Sequence, residues 1–78
     1  MQKPSVGRIV HVPMDPATNN GADAAPAVIT RVWNDTTVNV RILADAAPAK
    51  SDWRTSLVLV ESLSEGVGLC RWAWPERV

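Results

Sequence analysis

The chain is 78 residues long, with eight basic and eight acidic side chains and a formal net charge of zero. A domain of this size buries only about 60% of the surface its unfolded chain exposes, so its core is small. These limits exclude a two-domain enzyme, a Rossmann-type cofactor fold and a polybasic nucleic-acid tail. Zero net charge also leaves little counterion-release drive for binding long nucleic acid.

Val is abundant, Phe and Tyr are absent, and four Trp supply every large aromatic side chain. Such a composition favours short strands over helices. The single Cys70 has no intramolecular disulfide partner. The apolar run Leu57–Val60 is far shorter than the roughly 20 residues of a membrane helix, and Met1–Ser5 lacks the apolar core of a secretory signal. The expectation is a soluble, cytoplasmic protein with no membrane partner. Small chains without staples gain stability by association, so a homo-oligomer is expected.

Residues 1–78 read as a single small β domain. The first strand runs from Val6 to Val12, bounded by Pro4 and Pro13. Met14 to Pro26 has no periodicity, and a connection so long is expected to be functional or mobile. Ala27–Trp33 and Thr37–Leu43 alternate on either side of Asn34-Asp35-Thr36, which is the clearest hairpin signal. The alternation puts Val28, Val32, Val38, Val40 and Ile42 in the core, with Arg31, Trp33, Asn39 and Arg41 on the opposite face. Ala44 to Ser51 is a second Pro/Ala loop, repeating the Ala-Asp-Ala-Ala-Pro-Ala of residues 22–27. Ser51-Asp52-Trp53-Arg54 is expected to cap a helical turn. Ser56–Val60 and Leu69–Trp74 complete five strands. The fold expected is all-β: a small antiparallel β-barrel or curled sheet, SH3-like, with two long loops.

The opening Lys3-Pro-Ser-Val-Gly-Arg-Ile-Val-His11 and the closing Trp72-Ala-Trp-Pro-Glu-Arg77 resemble a family of small phage- and prophage-encoded proteins. Members share a G-R-I-V-H-Y start and a W-H-W-P-E end. Val12 replaces the usual Tyr and Ala73 the usual His. The resemblance covers about fifteen terminal residues and, loosely, the central hairpin. It implies a short β-protein acting in the host cytoplasm during infection: a virion part, a host-takeover adaptor, or a small oligomer that sequesters nucleotide immune signals.

Arg and Trp recur together, as Arg31-x-Trp33, Trp53-Arg54 and Arg71-Trp72-x-Trp74. A guanidinium forks onto phosphate oxygens and an indole stacks on a base. In a protein without Phe or Tyr, the same Trp also serve as core and interface aromatics. The candidate ligand-binding residues are Trp33, Trp53 and Trp74 for stacking, Arg31, Arg54 and Arg71 for phosphate, and His11 as a contact. His11 reads otherwise as a surface or packing residue, Arg8 as a solvated charge, and Cys70 as a small buried hydrophobe. No metal-ligand spacing, phosphate loop or nucleophile motif is present, so no catalytic residue, metal or cofactor is expected. The leading expectation is a non-enzymatic accessory protein binding a small nucleotide-like ligand as a homo-oligomer. A structural or adaptor module of a virion or host complex is the alternative.

Overall fold

The computed structural model describes residues 3–45 and 53–75. It is all-β, with strands β1 (Ile9–Pro13), β2 (Ala24–Val32), β3 (Thr37–Ile42), β4 (Trp53–Leu59) and β5 (Arg71–Trp72). They hydrogen-bond in chain order into one sheet. The β1–β2, β2–β3 and β3–β4 pairs are antiparallel, whereas β4 and β5 run parallel. Two further hydrogen bonds between His11 and Ala73, each 2.9 Å, join β1 to the residue after β5. The sheet therefore curls into a nearly closed small β-barrel, which removes most of its exposed edge.

The core is built from the inward faces of these strands: Val10 and Val12, Ala25, Ala27 and Ile29, Val38, Val40 and Ile42, then Leu57 and Trp72. Small residues on β2 leave room inside a narrow barrel for the Trp72 indole. Trp72 is fully buried, and its Nε1 donates to the Thr36 carbonyl at 3.0 Å. An interior indole needs such a partner, because an unpaired N–H would lose its hydration without compensation.

The hairpin forms where the alternation places it, but its first strand is inverted. Ile29 is fully buried, and Val28 is only partly so. The reason is a bulge: Ile29 opposes Val40, yet Arg31 opposes Asn39, which leaves Thr30 unpaired. One extra residue switches the face that follows it. Ala25, Ala27 and Ile29 point inward before the bulge, and Val32 packs against the core after it. Arg31, Trp33 and Arg41 still reach the outer face, as the alternation predicts. The turn is held by Asn34, whose Oδ1 accepts from the amides of Thr36 and Thr37, each at 2.9 Å.

Other boundaries shift. The first strand begins at Ile9 rather than Val6, because Gly7 takes a positive φ of 94° and turns the chain there. The Ala/Pro tail of the first long loop belongs to β2. Pro26 stands where the β2–β3 pairing ends: its carbonyl still accepts from the Leu43 amide at 2.9 Å, and the missing N–H costs at most one terminal bond. Trp53 and Arg54 open β4 instead of a helical turn. Ser51, Asp52 and most of the second Pro/Ala loop lie outside the described residues. The strand expected over Leu69–Trp74 contracts to Arg71–Trp72.

Candidate functional site

The seven residues singled out by the sequence divide among three places. On the outer sheet face, the Arg31 guanidinium lies over the Trp33 ring, 4.1 Å from its centroid. Trp33 Nε1 donates to Asn39 Oδ1 at 2.9 Å. That one buried oxygen also accepts from Thr55 Oγ1 (2.8 Å) and the Ser56 amide (2.9 Å). Ser56 has a positive φ of 59°, at a second bulge where β4 carries one residue more than β3. Asn39 thus pins the bulge and fixes the Arg31–Trp33 stack to it. Beside this cluster, Ile9, Val28, Arg41 and Trp53 oppose one another across β1 to β4 as one outward row. Trp33 and Trp53 are each about half exposed, at 51% and 49%.

At one mouth of the barrel, Arg54 and Arg71 face inward on the chain itself. Arg54 donates from one guanidinium nitrogen to the carbonyls of Pro13 and Leu69, both at 2.9 Å, and from the other to Met14 Sδ at 3.6 Å. Burial lowers its pKa, and Cys70 opposes that shift by charge. Arg71 donates to the carbonyls of Gly68 (2.9 Å), Glu65 (2.9 Å) and Leu63. Both arginines therefore tie down the 61–70 segment. A cleft of about 490 Å³ opens beside them, lined by Pro13, Met14, Asp23, Leu63 and Ser64 as well as Arg71.

The long first loop is anchored rather than loose. Asn19 is almost fully buried. Its Nδ2 donates to the carbonyls of Ala22 and Ala24, and its Oδ1 accepts from the Asp45 amide at 2.7 Å. Nothing in the sequence marks Asn19 apart from Asn20, because its partners are backbone groups, two nearby in the chain and one at distant Asp45.

The third place is the seam where β5 returns to β1. Trp74 packs edge-to-face on buried Trp72, with centroids 5.1 Å apart and planes at 80°. Arg8, expected to be a solvated charge, sits 5.1 Å from the Trp74 centroid. Trp74 also lines a cleft of about 540 Å³ with Leu59, Val60 and Glu61. This neighbourhood follows from the parallel pairing: Val58 opposes Arg71 and Leu59 opposes Trp72, so continuing the register sets Glu61 opposite Trp74. Sequence reading passes over Arg8 and Glu61 because antiparallel expectations bring neither to Trp74.

His11 is half-buried, and its backbone closes the barrel onto Ala73. Cys70 is exposed, which corrects the expectation of a buried side chain; it precedes β5 on a turn that the barrel does not cover. Among the described residues, no group of three or more His, Cys, Asp or Glu is placed to hold a metal ion. No helix among them is long and apolar enough to cross a membrane.

The architecture defines a small all-β barrel with an aromatic cleft at its seam and an arginine–tryptophan face on its outer surface. Compared with known family models, curated proteins and solved structures, the chain matches none.

Proposed function

We propose that this chain is a non-enzymatic, phage-type accessory protein that binds a small nucleotide-like ligand at the seam cleft, as a homo-oligomer in the host cytoplasm. The observation that carries the reading is Trp74, an indole lining a concave site with a guanidinium already beside its ring. A base stacked on Trp74 gains about 1–3 kcal/mol. Leu59 and Val60 wall the cleft, and Arg8 supplies a forked cation for a phosphate at its rim. The cleft volume falls within the range of small-molecule sites, roughly 300–1,000 Å³. Arg54 and Arg71 serve the barrel instead, since each already donates to two or more backbone carbonyls.

Isothermal titration against mononucleotides, cyclic di- and trinucleotides and ADP-ribose derivatives tests this reading. Saturable binding to at least one class is expected, weakened tenfold or more by Trp74→Leu. Silence across the panel sinks it.

A second reading rests on the outer face. Trp33, Trp53, Ile9 and Leu43 are each about half exposed, and Trp33 carries the Arg31 guanidinium on its ring, features suited to an adaptor or virion component. Mass spectrometry of purified virions distinguishes the two: stoichiometric incorporation, lost in Trp53→Lys, favours the adaptor.

A further inference from the structure

The seam cleft combines the Trp74 indole with a single carboxylate, Glu61, between the apolar side chains of Leu59 and Val60. Glu61 is exposed and makes no hydrogen bond or ion pair with another described residue, although it lines the cleft beside Trp74. The parallel register brings it there from the end of β4, where the Val60 amide makes its 2.9 Å bond to the Trp72 carbonyl. The backbone thus sets Glu61 beside Trp74 in the cleft wall, and neither carboxylate oxygen has a partner among the described residues.

A carboxylate only accepts hydrogen bonds and offers two parallel acceptor sites. Among the nucleobases, guanine presents two adjacent donors on one edge, N1–H and the exocyclic N2 amine. Adenine places the N6 amine beside the N1 lone pair, and cytosine its N4 amine beside N3. Either would gain one bond and suffer one lone-pair repulsion. Uracil flanks its single N–H with two carbonyls. We infer that the ligand of the seam cleft is a guanine nucleotide, with Glu61 reading the N1–H/N2 edge while Trp74 stacks the ring. This inference rests on the nucleotide reading above and names the base class for that same site.

The substitution Glu61→Gln separates base selection from nucleotide binding as such. A glutamine offers one acceptor and one donor side by side, which suits the adenine N6/N1 edge and mismatches the paired N1–H and N2 donors of guanine. Because Glu61 has no described partner, the fold should survive the change, and a thermal melt checks that. Titrations of 5′-GMP, 5′-IMP and 5′-AMP into wild type and E61Q form the test. Wild type is expected to prefer GMP over IMP, which lacks the N2 amine, and over AMP by about tenfold or more. E61Q is expected to lose that preference and gain affinity for AMP. If all three nucleotides bind wild type equally, the guanine assignment is overturned while the nucleotide reading stands. If none of the three binds, the guanine assignment falls, and the nucleotide reading falls with it only if the cyclic nucleotides and ADP-ribose derivatives are silent too.

Discussion

The most consequential single side chain on the outer face is Asn39. Its one carbonyl oxygen receives three donors, from Trp33, Thr55 and the Ser56 amide. Removing it strands a backbone N–H held at positive φ beside two side-chain donors. An unsatisfied buried group costs about 1–3 kcal/mol, and each kcal/mol lowers the Tm of a domain this size by about 4–8 °C. Asn39→Ala should therefore melt about 4–24 °C below wild type, with the Trp33 emission shifted as its Nε1 partner disappears. Asn39→Asp keeps the acceptor and should recover part of the loss. Trp72 is the corresponding residue inside. Trp72→Ala should cost about 3–5 kcal/mol, most of what a core this small supplies. The expected readout is a chain without a cooperative thermal transition. A cooperative melt near the wild-type temperature would show that Trp72 is not the centre of the core.

Among the elements, the segment between β4 and β5 depends on two arginines rather than on apolar packing. Arg54 bridges the end of β1 to Leu69, and Arg71 gathers three carbonyls of the same segment. Hydrogen bonds to charged groups contribute about 1.5–3 kcal/mol each, and partial exposure places Arg54 at the lower end. Arg54→Met should destabilise by about 2 kcal/mol and raise hydrogen exchange across residues 61–70, leaving the β2–β3 hairpin protected. Because burial lowers the Arg54 pKa, the folded state holds its proton less tightly than the unfolded chain does. Stability tied to this group therefore rises with pH, but only in the alkaline range where arginine titrates. Wild type and Arg54→Met should show parallel stability profiles between roughly pH 6 and 9.

Legibility also divides at this scale. Period-two alternation identifies β3 and the hairpin turn because Val38, Val40 and Ile42 face a single core. It inverts β2 because Ala25 and Ala27 carry little hydrophobic signal and the Thr30 bulge changes phase midway. The candidate list holds Trp74 but lacks Arg8 and Glu61, whose proximity comes from a parallel pairing and a barrel closure between distant residues. Arg–Trp spacing along the chain identifies the Arg31–Trp33 stack directly, since both stand on one strand face past the bulge. It fails for Trp53 and Arg54, adjacent residues that alternate to opposite faces.

For the whole molecule, neutrality and small size now bear on two separate surfaces. The outer row of Ile9, Val28, Arg41 and Trp53, apolar at three of its four positions, is where the proposed oligomer would make its contact. Trp53→Lys should shift the native mass toward the monomer without abolishing ligand binding at the seam; an unchanged mass would place the contact elsewhere. In the proposed function the indole at the seam, not those on the outer face, receives the ligand. The most direct measurement is a fluorescence-monitored titration of 5′-GMP into wild type, Trp74→Leu and Trp33→Leu. Saturable quenching in wild type that disappears in Trp74→Leu and persists in Trp33→Leu is the expected result. Quenching that survives in Trp74→Leu and vanishes in Trp33→Leu would contradict it and move the site to the outer face.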